Sequence, residues 1–119
     1  MSWEFEIVDG PYDGTTEGPV WDGSGLLFTH IPTSRIMRFD PELGESTVYR
    51  ENTNNANGLT LGHDGLIYAC EGGARRVTRY EPDGDVTVLA DGFEGERLNI
   101  PNDLAIDLVD RVWFTDPYY

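Results

Sequence analysis

Arg38-Phe39-Asp40-Pro41 recurs as Arg79-Tyr80-Glu81-Pro82, 41 positions further on. Each copy runs into a glycine-containing turn and then a valine-bearing strand, Thr47-Val48-Tyr49 in the first case and Val86-Thr87-Val88 in the second. The same spacing governs what precedes them. Gly18-Pro19-Val20-Trp21-Asp22 leads to Leu27-Phe28-Thr29, Asn57-Gly58-Leu59-Thr60-Leu61 leads to Ile67-Tyr68-Ala69, and Asn102-Asp103-Leu104-Ala105-Ile106 leads to Trp113-Phe114-Thr115. Val20, Leu59 and Leu104 are thus 39 and 45 residues apart.

A repeat of about 40 to 45 residues carrying four short strands is the spacing of a β-propeller blade. Short apolar runs sit between closely spaced turn residues. They are Glu4–Val8, Leu26–Thr29, Ile36–Phe39, Thr47–Tyr49, Leu66–Cys70, Val77–Tyr80, Val86–Leu89, Leu104–Ile106 and Val112–Thr115. Each has the length and β-branched or aromatic content of a strand. No 12-residue stretch reads as an amphipathic helix. The fold expected is all-β, one partial propeller domain spanning 1–119 and covering about two and a half blades, with no second domain. At about 42 residues per blade the length falls short of three blades. The expectation is therefore the N-terminal portion of a larger propeller. A small complete β-domain, or a ring assembled from several copies, are the other readings. Glu4–Val8 precedes the first unit and has no partner within it.

Composition narrows the function. Leu, Ile, Val and Phe make up 29 of 119 residues, above the level at which a chain lacks the apolar content to fold. There is no Lys, and 8 Arg face 22 Asp and Glu, for a net charge of −14. Such a chain repels nucleic acid and anionic membrane surfaces, so neither is an expected partner. The acidity has two readings, adaptation to a salt-rich habitat or cation binding. One cysteine, Cys70, precludes an internal disulfide and fits a reducing compartment. With no signal-peptide pattern at the start and no long apolar run, the expected location is the cytoplasm.

Chemistry-bearing residues are sparse. His-Glu-x-x-His, paired cysteines, Gly-x-Ser-x-Gly and phosphate-cradling glycine loops are all missing. His30 and His63 stand alone and read as structural, and Cys70 reads as a small buried apolar residue. Asp40, Glu42, Asp83 and Asp85 read as solvated turn positions. The positions that recur at the head of each unit's first strand are Glu17-Gly18-Pro19, Asn57-Gly58 and Pro101-Asn102-Asp103. In a propeller the innermost strands line the central channel, so these oxygens would converge at one mouth. A carboxylate from Glu17 with an amide carbonyl from Asn102 suits a hard divalent cation. Ordinary turn chemistry explains the same residues equally well.

Five segments in this order resemble the gluconolactonase/regucalcin/luciferin-regenerating-enzyme family: Glu17-Gly18-Pro19-Val20-Trp21, Asn57-Gly58-Leu59, Cys70-Glu71-x-Gly73-x-Arg75-Arg76-Val77, Arg97-Leu98-Asn99-x-Pro101-Asn102-Asp103-Leu104 and Trp113-Phe114-Thr115-Asp116-Pro117. The resemblance runs from about Glu17 to the last residue. It implies a six-bladed propeller holding one divalent metal, Ca²⁺ foremost, with Mg²⁺, Zn²⁺ or Mn²⁺ as alternatives. It makes Glu17 and Asn102 metal ligands. Asn57 and Asn99, with Arg97 and Glu71, become substrate-side residues for a small lactone. The general base it implies is an aspartate of a later blade, beyond residue 119. Ile100, His30 and the turn at Val109-Asp110 depart from the family pattern. The implied activity is hydrolysis of a sugar-type lactone, not retained by these residues in isolation. A non-catalytic binding or regulatory propeller, its metal structural or absent, is the alternative.

Overall fold

The computed structural model describes residues 1–119. The first sheet orders β1 (Thr16–Trp21), β2 (Leu26–His30), β3 (Arg35–Asp40) and β4 (Glu45–Arg50) as consecutive antiparallel neighbours. The second repeats this with β5 (Ala56–Leu61), β6 (Ile67–Glu71), β7 (Arg76–Tyr80) and β8 (Val86–Ala90). A hairpin of β9 (Gly92–Phe93) and β10 (Glu96–Arg97) follows, and then a two-stranded sheet of β11 (Leu104–Ile106) and β12 (Val112–Phe114). These are two complete blades of a β-propeller and the inner pair of a third. No helix is long and apolar enough to cross a membrane.

The strands form where alternation meets a buried face. β6 shows the logic most plainly, because all five of its residues are buried. Side chains alternate across a strand. Ile67 and Ala69 therefore join Leu27, Ile36, Ala56, Leu59 and Tyr80 in the core between the first and second sheets. Tyr68 and Cys70, pointing the other way, join Val77 and Leu104 between the second and third. A strand buried on both faces has no polar side to show, which is why Leu66–Cys70 is a continuous apolar run. Inner strands are neighbours: β5 packs on β1, and β11 packs on β5.

Aspartates build the turns between first and second strands. Asp22 accepts the backbone N–H groups of Ser24 and Gly25 at 2.9 and 2.8 Å. Asp64 accepts from Leu66 at 3.0 Å, and Asp107 from Val109 and Arg111 at 3.0 and 2.9 Å. Asp40 and Asp83 close the outer turns in the same way, through Glu42 and Asp85. Five of the 22 acidic residues are thus turn chemistry. In the third of the inner turns Asp110 adopts a left-handed φ of 64°, where the second has Gly65 at 79°.

Three features differ from the sequence reading. Glu4–Val8 forms no strand and is exposed, because alternation alone cannot hold a strand without a ladder partner. Short 3₁₀ turns, Ile31–Thr33 and Gly72–Ala74, join second to third strands in both blades, each closed by a left-handed residue, Ser34 or Arg75. The β9–β10 hairpin was not anticipated either; its strands are two residues long.

Candidate functional site

The heads of the inner strands are bulged. In β1 the pairing register slips between Glu17 and Val20, and in β5 it slips between Ala56 and Leu59. A bulge frees residues from the ladder and re-aims them. It does so here at Glu17-Gly18 and at Asn57-Gly58. The bulges then stack. A Cβ on Gly18 would stand 2.4 Å from the Asn57 carbonyl oxygen, and a Cβ on Gly58 would stand 2.6 Å from that of Asn102. Gly58 N–H donates to the Asn102 carbonyl at 2.8 Å. Only glycine permits backbones this close.

This stacking brings Glu17, Asn57 and Asn102 onto one cavity of about 270 Å³, together with Asp103. Asn102 is held on three sides. Its N–H donates to the Thr115 carbonyl at 3.0 Å, its carbonyl receives Gly58, and its side-chain Nδ2 donates to Tyr119 Oη at 2.9 Å. With Nδ2 committed to Tyr119, Oδ1 is the atom left to accept. Asn57 uses its backbone carbonyl to accept from Thr29 Oγ1 at 2.9 Å and contributes no side-chain hydrogen bond to the fold. A second cavity of about 280 Å³ shares Asn57 and Asn102 and adds Asn55, Ile31, Ile100, Pro101 and Tyr119.

The other expected residues lie elsewhere. Asn99 faces a separate cavity of about 220 Å³ with Arg75, Ile100, Tyr118 and Tyr119. Its N–H donates to Asp116 Oδ2 at 2.9 Å and its Nδ2 to the Asp116 carbonyl at 3.3 Å. Arg97, exposed on β10, lines the largest cavity, about 580 Å³, between the β9–β10 hairpin and Arg75 and Arg76. Glu71 lines none of these cavities and is 1% exposed. Its Oε1 accepts from Asn54 Nδ2 and Arg76 Nε, both at 2.9 Å, and its Oε2 from Thr78 Oγ1 at 3.1 Å and Tyr80 Oη at 2.9 Å. A buried carboxylate so fully hydrogen-bonded is a structural hub. Burial, then Glu71's charge, push the Tyr80 phenol far above its ordinary range.

His30 and Cys70 are structural, as read from the sequence. His30 Nε2 donates to the Asp13 carbonyl at 2.8 Å, and its Nδ1 accepts from Thr33 Oγ1 at 2.8 Å. Cys70 is fully buried, and desolvation pushes its thiol up to about 12. His63 sits at the surface, its Nε2 donating to the Asp107 carbonyl at 3.1 Å. Asp103, named among the strand-head positions but given no role of its own, also reaches the mouth. It lies at the Gly58 contact, where a Cβ would meet its Oδ1 at 2.6 Å.

The donor set is oxygen-only and so suits a hard cation. It is also thin, since no three His, Cys, Asp or Glu side chains group closely enough to hold a metal. The arrangement offers carboxylates from Glu17 and Asp103, amide oxygens from Asn57 and Asn102, and room for a small polar molecule.

Residues 15–119 match the family model described as the SMP-30/Gluconolactonase/LRE-like region. A gluconolactonase of Zymomonas mobilis subsp. mobilis is 31% identical over 119 aligned residues, which cover 87% of this chain and 33% of the relative. A solved gluconolactonase from Xanthomonas campestris superposes with a TM-score of 0.79 at 33% identity, covering 86% of this chain and 35% of that one. A streptogramin B lyase superposes at 0.67 with 18% identity, a likeness of fold alone. The chain spans about a third of the length of the gluconolactonases it matches.

Proposed function

The chain belongs to the SMP-30/gluconolactonase/LRE-like family, and from that premise we propose that it supplies the first blades and part of the active site of a divalent-metal-dependent lactonase acting on a sugar-type lactone. The observation that carries the reading is the convergence of Glu17, Asn57 and Asn102 on one cavity.

Glu17 and Asn102 would hold the cation, Ca²⁺ first among the candidates, through hard oxygen atoms. When bound, it would polarise the lactone carbonyl and lower the pKa of a water molecule. Asn102 reaches this position with its amide oriented by Tyr119. Asn57, free of side-chain partners, would orient the ring by hydrogen bonds to carbonyl or hydroxyl groups. Asn99 opens on a cavity that shares Ile100 and Tyr119 with the one beside Asn57 and Asn102 and would meet a substrate's outer groups; Arg97, on a cavity further out, would do so only for a longer substrate. Glu71 would act on the site only through Asn54, which it holds at 2.9 Å. No covalent nucleophile is needed. The cytoplasm, a reducing compartment, suits the unpaired Cys70.

A hard cation takes about six to eight oxygen ligands, more than these side chains offer. The 119 residues alone should therefore bind cation weakly and hydrolyse no lactone above background. In a protein that also carries the remainder of the relatives' length, proton release from glucono-δ-lactone should depend on divalent metal. Glu17→Ala and Asn102→Ala should each abolish it. Robust turnover by the 119 residues, or metal-dependent turnover that survives both substitutions, would remove the assignment. Metal binding without turnover would favour a non-catalytic propeller.

A further inference from the structure

The two cavities that meet at Asn57 and Asn102 differ in character. The one toward Glu17 is lined by carboxylates and amides. The other adds Ile31, Ile100 and Pro101 to the same two asparagines, with Asn55, Tyr119 and the Gly72–Gly73 turn completing its lining. Ile100 belongs to a built wall. A Cβ on Gly72 would stand 3.0 Å from Ile100 Cγ2, so the methyl rests against the turn backbone where glycine leaves room. Pro101, next to it, is fully buried. Ile100 keeps 40% exposure, and it lines both this cavity and the one beside Asn99. Ile31 comes from the other blade, where its carbonyl accepts Asn55 Nδ2 at 2.9 Å. Two blades thus present apolar groups beside one pair of amides.

A ring hydroxylated on every carbon fits such a cavity badly. A hydroxyl pressed on Ile31 and Ile100 gives up water to side chains that can bond neither its hydrogen nor its oxygen. A methyl group at the same place gains from leaving water. The amide of Asn57, which has no side-chain partner in the fold, still requires a hydroxyl or carbonyl on the opposite edge of the ligand. We propose that the site selects a deoxy sugar lactone, with hydroxyls or the ring carbonyl on Asn57 and a methyl group on Ile31 and Ile100. This inference rests on the lactone reading and narrows its substrate class.

The test uses two hydrolysis-inert probes that differ in one hydroxyl, glucono-δ-lactam and its 6-deoxy counterpart. Titrated into the ¹⁵N-labelled chain, each reports through the side-chain amide signals of Asn57 and Asn102. The deoxy lactam should bind about tenfold tighter, the scale of one group's difference in an apolar pocket. Ile100→Ser should bring the two affinities within about twofold of each other, on the same scale. Ile31→Ser should do the same and stands in should Ile100→Ser fail to fold. Equal affinities in the unsubstituted chain, tighter binding of gluconolactam, or a preference that neither substitution moves would overturn the deoxy-sugar inference and leave the lactone reading intact. Failure of both lactams to shift either amide would overturn the deoxy-sugar inference, whereas the lactone reading is decided by metal-dependent turnover in the protein that carries the remainder of the relatives' length.

Discussion

Gly58 lies directly against Asn102: its N–H donates to the Asn102 carbonyl at 2.8 Å, and a side chain on it would stand 2.6 Å from that oxygen. Gly18 repeats the relationship one blade earlier, against Asn57. The two glycines set how near successive inner strands can come, and so how near Glu17, Asn57 and Asn102 come to each other.

Gly58→Ala tests that relationship. Gly58 has no positive φ, so the cost is steric alone. Two of its neighbours, the Asn102 carbonyl oxygen and Asp103 Cα, are backbone atoms that cannot rotate away; the third, Asp103 Oδ1, belongs to a side chain. The expected loss is about 1–3 kcal/mol in urea unfolding. A loss below about 0.5 kcal/mol, the range of neutral surface substitutions, would contradict the close approach.

Glu71→Ala should be far more damaging than Tyr80→Phe. The first strands Arg76, Tyr80, Thr78 and Asn54 around a vanished carboxylate, at a cost of about 3–5 kcal/mol. The second removes one hydrogen bond to a charged group, about 1.5–3 kcal/mol. Equal urea midpoints for the two variants would show that Glu71 is not the hub.

Acid should unfold the chain through its turn carboxylates. Arg38 holds Asp22 well below the usual carboxylate range, with Ser24 and Gly25 N–H groups adding to it. The Trp113 indole N–H, then Arg111, hold Asp107 down to about 2. Both groups ionise more readily folded than unfolded. Their stabilisation is therefore complete above the unfolded value near 3.9 and is lost as pH falls through the folded values. Thermal midpoints taken from pH 6 to 2.5 should fall less steeply in Asp22→Asn and Asp107→Asn than in the unsubstituted chain. Parallel curves would contradict the assignment.

Cys70 should resist alkylation. Burial raises its thiol to about 12, with Asp103 and Asp116 contributing, and the thiolate is the reactive form. At pH 8 iodoacetamide should react at least roughly a hundredfold more slowly with the folded chain than in urea. Matching rates would mean that the core around Tyr68, Val77 and Leu104 opens readily.

The repeat was legible because its signals are local. Arg38-Phe39-Asp40-Pro41 and its second copy mark the start of the same outer turn in both blades, and β6 declares its double burial by its own apolar run. The heads of the inner strands were legible for the same reason, since Glu17-Gly18 and Asn57-Gly58 repeat as dipeptides. What depends on contact between blades was not. The recurring strand heads placed Asp103 at the mouth, but its approach to Gly58 is announced by no local pattern. Glu71 could have been placed by parity, since it shares a strand face with Ile67 and Ala69; the family resemblance alone put it on the substrate side. Glu4–Val8 alternates like a strand, yet alternation says nothing about whether a partner lies alongside.

A hard cation held at the three strand heads should be detectable with substoichiometric Mn²⁺, because paramagnetic broadening reports even weak occupancy at named atoms. In the ¹⁵N-labelled chain the side-chain amides of Asn57 and Asn102 should broaden before the turn amides of Leu66 and Asp85, and Glu17→Gln should abolish that order. Broadening that begins at the acidic turns, or that persists at Asn57 and Asn102 without the Glu17 carboxylate, would contradict a cation site there.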